Sequence, residues 1–492
     1  MTPPTTAPTP SDRQEPDPAR WRTLAVCLTV GFVTLLDVSV VNVALPSIEH
    51  SLHAGPTQLQ IIVAGYTLSF GLVLVPAGRL GDAGGRRALF MVGLVGFLVT
   101  SLAAGLAPDD VWLSVARLLQ GASAGLLNPQ VVGLIQQQFR GAERGRAFGL
   151  FGATIGVATA VGPVLGGLII AIAGEEDGWR WVFGINVPII AVLLPFAWRY
   201  VPASVRREGP RRLDGVGLTL IAATTVCVLL PFATTTGQGD DPRRLWWLAG
   251  AVVLAVVLVV WERRYQRRTG AAVLDPGVLG LRSFRNGALL GLAYFSGFTG
   301  VFLVTSLFLQ NDLKYSALSA GLVGMPFAVA SGTSAWLSGR AVARRGRGLV
   351  VGGLVLVLVG LLATDAVIRV LGDDAGTVGW AMAGALMIAG AGSGMVISPN
   401  QTLSLSEVPV ERAGVAGSMI QLGQRVGSSV GIAAVLSLYY AGTVAGASGA
   451  EATGRALLVT IALVAAALVV GLLDLRARHA GREHESAAAL SS

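Results

Sequence analysis

Lysine is almost missing from this chain. Of its 36 basic residues only Lys314 is not an arginine. Cysteine is nearly absent as well. Cys27 and Cys227 stand alone inside apolar runs, so they read as helix-packing residues, and no Cys/His cluster has metal-ligand spacing. The four histidines fall in one loop (His50, His53) and in the C-terminal tail (His479, His484). Charged residues make up 13% of the 492, about half the share typical of soluble proteins. A chain so poor in charge cannot cover itself with a polar surface, which excludes soluble multidomain, disordered and disulfide-rich secreted classes. No Gly-x-x-x-x-Gly-Lys-Ser/Thr occurs, so no nucleotide cradle is implied. What the chain does have is 53% hydrophobic residues and 65 glycines. That combination describes a multi-span helical membrane protein.

Residues 1–20, rich in Pro, Thr and Asp, read as a disordered tail, and no short apolar stretch with a cleavage site follows them. The first apolar run, 23–46, would extend for about 35 Å as a helix, against a hydrocarbon core of about 30 Å. Fourteen such runs follow one another, near 23–46, 59–77, 88–107, 112–133, 145–171, 180–198, 213–233, 244–262, 284–310, 317–339, 347–368, 378–403, 412–440 and 454–474. Runs of this length are helices rather than the short alternating strands of a barrel. An even number of spans puts both termini on one side. With that side inside, the outer loops hold only Arg180, Arg243, Arg244, Lys314, Arg369 and Arg455, and Arg117 and Arg425 lie within spans. The remaining arginines are all inside, which makes both termini cytoplasmic and explains the net charge of +8 as membrane orientation and lipid contact, with no nucleic acid. Trp21, Trp112, Trp179, Trp181, Trp246, Trp247, Trp261 and Trp380 fall near span ends, as an interfacial belt would. The long inner connections bracket spans seven and eight. The expected division is a tail (1–20), a six-helix half (21–200), a linker with two extra helices (201–283), a second six-helix half (284–475) and a disordered cytoplasmic tail (476–492).

The turn after span two reads Gly78-Arg-Leu-Gly-Asp82-Ala-Gly-Gly85-Arg86-Arg87. Its counterpart in the second half reads Gly339-Arg-Ala-Val-Ala343-Arg-Arg-Gly346-Arg347, with the spacing kept and alanine in place of Asp82. The turn resembles the signature loop of the major facilitator superfamily. Three further stretches narrow the resemblance to the fourteen-helix drug:proton antiporter family. Leu36-Asp37-Val-Ser39-Val-Val-Asn42-Val-Ala-Leu-Pro46 resembles its first-helix motif, with serine for the usual threonine at Ser39. Arg117-Leu-Leu-Gln120-Gly121 resembles its fourth-helix motif. Gly149, Gly162, Pro163, Gly166 and Gly167 resemble its fifth-helix antiporter motif, except that Ala158 replaces a glycine. Trp179-Arg-Trp-Val-Phe-Gly-Ile-Asn186-Val-Pro188 is also typical of the family, and the likeness covers residues 21–475. It implies an all-α major facilitator fold, a multidrug efflux transporter of the bacterial cytoplasmic membrane, and a fifth helix that limits leak.

Charges inside a bilayer are costly and therefore informative. Asp37 and Arg117 lie at depths differing by about 6 Å if both helices are regular. They read either as a proton-coupling and substrate pair or as a static salt bridge. Asp82 reads as a latch onto the N-terminus of the helix beginning near Arg412, or as a plain loop carboxylate. Arg425, within Gly423-Gln-Arg-Val-Gly427-Ser-Ser-Val-Gly431, either binds backbone carbonyls or lines the cavity. With Gly149, Gly152 and Gly156 on span five as a parallel set, both helices are expected at the moving interface. Gln120, Tyr294 and Phe298 are further candidate cavity residues, and aromatic and Met-rich walls suit lipophilic ligands. The reading is thus proton-coupled export of lipophilic drugs or antibiotics by a monomer that is not an enzyme and uses no cofactor or metal. Its partners are small lipophilic substrates, protons and membrane lipids. Dedicated export of one self-made metabolite by the same mechanism is the alternative, and a non-transporting sensor is the remaining one.

Overall fold

The structure is a computed structural model. It describes residues 19–174, 176–203, 214–233, 241–269 and 276–491. Inside a bilayer a backbone N–H has no water to bond, so a segment must satisfy itself as a helix. Accordingly, among the described residues all regular structure is helical. The helices are α1 (Arg20–Leu52), α2 (Pro56–Leu80), α3 (Arg86–Gly105), α4 (Asp110–Gln138), α5 (Gly141–Ala173), α6 (Gly178–Gly184), α7 (Asn186–Tyr200), α8 (Gly215–Ala233), α9 (Trp246–Thr269), α10 (Pro276–Gly280), α11 (Arg282–Leu307), α12 (Ala317–Arg345), α13 (Arg347–Leu371), α14 (Val378–Ser404), α15 (Ala413–Val444) and α16 (Gly449–Ser491).

Twelve stretches among the described residues are long and apolar enough to cross a membrane. One of them, Ile61–Gly105, runs through α2, the glycine turn and α3, and α4 is not among the twelve. α4 is excluded by its polar content, since Arg117, Gln120, Asn128 and Gln130 all lie along it. Much of that polarity is turned inward: Arg117, Gln120 and Gln130 are buried.

Packing repeats from one half to the other. α1 packs on α5 as α11 packs on α15, α2 on α4 as α12 on α14, and α3 on α4 as α13 on α14. The two largest apolar cores are built around Phe90, Phe97 and Phe148 and around Tyr294, Val357 and Leu386, with two smaller ones beside them. The halves meet along two equivalent seams, α5 against α12 and α2 against α15. The α5–α12 seam is close because it is lined with glycine. A Cβ on Gly149 would stand 2.9 Å from Gly339 Cα and 3.0 Å from the Ala335 carbonyl oxygen. One on Gly156 would stand 3.0 Å from Gly332 N. α8 packs on α2, α15 and α9 and so covers the other seam. α9 is tied back by Trp261, whose indole Nε1 donates to Asp214 at 2.8 Å.

Several sequence expectations change. The α15 glycines do not face the opposite half: Cβ atoms at Gly427 and Gly431 would run into Leu292 and Ser296 of α11, within the same half. Residues of α15 that do cross the seam include Gly414, Gly417 and Ser418, against Gly78 and Val132. Trp179 is fully buried and packs on Phe183, so it is a core residue, whereas Trp181, Trp246 and Trp380 are exposed. The 476–492 stretch, expected to be a disordered tail, continues α16 as far as Ser491. Its Ala, Arg, Glu and Leu residues have high helix propensity. The 1–20 tail lies largely outside the described residues, as does part of the 201–283 linker.

Candidate functional site

α1 and α4 place Asp37 and Arg117 face to face in the first half. Asp37 is 3% exposed and Arg117 2%, so neither can reach water in this conformation. Arg117 Nη1 donates to Asp37 Oδ2 at 2.5 Å and to Gln120 Oε1 at 2.6 Å. The other carboxylate oxygen, Asp37 Oδ1, accepts from Gln120 Nε2 at 2.9 Å and from Asn186 Nδ2 at 2.8 Å. Gln120 Nε2 also donates to Ser101 Oγ at 2.8 Å. The guanidinium is further held by the Ile62 carbonyl at 3.4 Å and lies 4.4 Å from the Tyr66 ring centroid. Gly121 makes this approach possible, because a Cβ there would collide with the Tyr66 carbonyl oxygen and Ser69 Oγ.

One ion pair therefore sits in a shell of neutral donors and acceptors. A lone charge at a bilayer centre costs at least about 2.5–3.5 kcal/mol. Removing one partner of a buried pair typically costs about 3–5 kcal/mol. Besides Asp37, Arg117 has Gln120 Oε1, the Ile62 carbonyl and the Tyr66 face as partners.

Asn186 was not singled out as a partner of Asp37 from the sequence. It is completely buried. It opens α7 just after a break at Ile185, where Pro188, three residues beyond, has no N–H to give to the Gly184 carbonyl. The Asn-Val-Pro spacing was the available signal: an amide beside a helix break, inside an apolar span.

At the arginine-rich end the glycine turn meets the second half. Asp82 accepts from Gly414 N at 3.0 Å and Val415 N at 2.9 Å, the first free amides of α15, and from Arg86 Nη2 at 2.6 Å. A carboxylate at a helix N-terminus satisfies orphan donors and the helix dipole together. Arg86 also donates to the Val410 carbonyl at 3.2 Å, to the Gly133 carbonyl at 3.1 Å and to Gln137 Oε1 at 2.9 Å. Gln136 Nε2 adds a bond to the Leu405 carbonyl at 3.1 Å. Arg87 turns away and donates to the Trp198 carbonyl at 2.6 Å, within the first half. Gly78 lies under Gly414 and Ser418, and Gly85 against the Leu80 carbonyl oxygen. Gly84, which the motif alone did not single out, has φ 103° and is the position where the turn needs glycine.

The second-half equivalent of this turn works differently. Arg347, matching Arg86, is buried and pairs with Asp474 of α16 at 2.7 Å, donates to the Ser283 carbonyl at 3.1 Å and bonds Asn400 Oδ1. With Ala343 where the first half has Asp82, this turn offers no carboxylate to the opposite half.

The fifth-helix residues divide by neighbour. Gly162 and Gly166 lie against Ser39 and Val40 of α1, Pro163 against Gly321 of α12, and Gly167 has nothing within 4 Å. Tyr294 and Phe298 share a face, with ring centroids 5.1 Å apart. That face is packed into the second-half core, where Tyr294 donates to Ser393 Oγ at 2.9 Å and Phe298 meets Phe327 at 5.2 Å. Arg425 is half-buried and its guanidinium lies 4.7 Å from the Phe70 ring centroid, on the α2 side of the seam. Cys27 and Cys227 are both buried and free.

Residues 27–432 match the family model of the Major Facilitator Superfamily. The chain belongs to this superfamily. Like its members, it is a multi-pass membrane transporter. A probable actinorhodin transporter from Streptomyces coelicolor is 33% identical over 88% of this chain and 74% of its own length. A puromycin resistance protein from Streptomyces alboniger is 35% identical over 85% of this chain and 82% of its own. A tetracenomycin C resistance and export protein from Streptomyces glaucescens is 31% identical over 84% and 74%. Among solved structures, the superfamily proton:xylose symporter XylE aligns with a TM-score of 0.65, covering 92% of this chain and 95% of its own at 16% identity. The human organic anion transporter MFSD10 aligns equally well at 13% identity. At such identities the likeness is one of fold.

Proposed function

We propose that this transporter exports lipophilic drugs or antibiotics in exchange for protons, from the cytoplasmic membrane of a bacterium. The observation that carries the reading is the Asp37 site: a buried carboxylate with one cationic partner and two neutral donors. Ionised, Asp37 holds Arg117. Protonated, it releases a bond to Arg117, whose other partners stay in place. That change in the tie between α1 and α4 is the step coupled to opening and closing of the halves. Protons are the coupling ion and no cofactor takes part.

We read fourteen spans by separating α2 from α3 and adding α4, with both termini cytoplasmic. On that count the Asp82 latch is at the inner end, so this conformation is closed to the cytoplasm. Gly162, Pro163 and Gly166 set how α5 moves against α1 and α12, and Gly167, with open space around it, takes no part in that contact.

The relatives' names favour export in two forms. A multidrug pump accepts many compounds, whereas the actinorhodin and tetracenomycin C proteins are named for one compound each. Dedicated export of a self-made metabolite is therefore the second reading.

The test is proton release from inside-out vesicles holding the protein, energised and then given compounds of several classes. Release on addition of a transported compound, lost in Asp37→Asn at normal expression, is the expected result. Full activity in Asp37→Asn would sink the coupling role.

A further inference from the structure

Arg425 is the interior cation that the coupling site leaves unused. It lies midway along α15, and among the described residues it makes no ion pair or hydrogen bond. Three acidic side chains of the second-half helices are engaged elsewhere. Asp365 pairs with Arg369 at 2.7 Å, Asp474 with Arg347 at 2.7 Å, and Asp312 accepts from Tyr439 at 3.0 Å. In the first half Asp37 is taken by Arg117. Arg425 is therefore an interior positive charge to which no described acidic side chain is paired.

Its geometry suits a ligand. The guanidinium lies over the Phe70 ring, 4.7 Å from its centroid, and no described residue takes its N–H donors. Those donors match a carboxylate in a two-point fork. Phe70 continues into a stack: its ring lies 6.3 Å from Tyr66 at 16°, and Tyr66 in turn lies under Arg117. A compound seated at Arg425 would thus lie across the α2–α15 seam, one aromatic stack away from the charge pair.

We propose that Arg425 binds the anionic group, a carboxylate or an ionised phenol, of a lipophilic aromatic substrate. The inference rests on the export reading above and narrows its substrate class, away from lipophilic cations.

The test uses the purified full chain in detergent and in vesicles, with anthraquinone-2-carboxylate, its methyl ester and 2-(aminomethyl)anthraquinone as probes. The carboxylate should bind at least about tenfold more tightly than the ester, a difference of about 1.4 kcal/mol. Arg425→Gln should bring the two within about twofold, and Arg425→Lys should keep part of the preference. Ester affinity serves as the internal check that each variant is folded. Equal affinity for carboxylate and ester in the native chain, or a preference that survives Arg425→Gln, would overturn the proposal. Transport separates it from the broader reading. Proton-driven transport of the amine, indifferent to Arg425→Gln, would remove the anion site and leave export standing. Arg425-dependent carboxylate binding without proton-driven transport would uphold the site and remove the export reading.

Discussion

Single side chains in this protein act through what surrounds them. Asp37 and Arg117 were legible in the sequence because a charge stands out against an apolar run. Asn186 was not, because a neutral amide does not. Yet Asn186 supplies one of two donors to Asp37 Oδ1. Asn186→Leu should leave the carboxylate short of a charged hydrogen bond, a loss of about 1.5–3 kcal/mol. The expected result is proton-driven export reduced at least about tenfold with the protein still inserted, read by vesicle transport against a membrane-fraction immunoblot. Tyr294 and Phe298 show the opposite failure. Their spacing correctly put them on one face, but spacing cannot tell which side of that face is filled, and here Phe327 and Ser393 fill it.

At the scale of helices, glycine decides which elements touch. Periodicity exposes a glycine stripe but not its partner. The stripe on α5 crosses to the other half, and the equivalent stripe on α15 packs within its own. Gly149→Leu should therefore force α5 from α12 and abolish transport, while Gly167→Ala, with open space around it, should leave transport within about twofold. Uptake rates of the two variants at equal expression check this. The Asp82 contact is also one between elements, since it holds the start of α15. Asp82→Ala removes the acceptor for two backbone amides. Spin labels at Arg140→Cys and Glu407→Cys should then report a longer and broader distance distribution. Cys27 and Cys227 are buried, so labelling at the introduced sites should be selective. The turn itself was readable from its glycines and Asp82, and its internal copy gave away the repeat. The Arg347–Asp474 pair was hidden because its two members lie far apart in sequence and near span ends, where charge is unremarked.

The whole molecule follows from reversing the usual distribution of polarity. Valines and leucines of α3 and α9 face outward, and glycines, serines and the few charges are turned in. The span count shows where hydropathy alone falls short, since α4 is the helix with the most to do at the site and the polarity it needs for that keeps it off the list of twelve. Orientation is testable at this scale too. A fluorescent protein fused after α16 should fold and fluoresce, and alkaline phosphatase inserted between α13 and α14 should be active. The reverse pattern would invert the topology.

The cover that α8 provides has a consequence for how the bilayer bears on the machine. One seam is shielded by a helix pair, and among the described residues no such pair covers the α5–α12 seam. Acyl chains thus wet the two sides of the joint unequally, and lateral pressure becomes a lopsided load on it. Transport rate in reconstituted vesicles should then vary with lipid chain length, and deleting α8 and α9 should flatten that dependence.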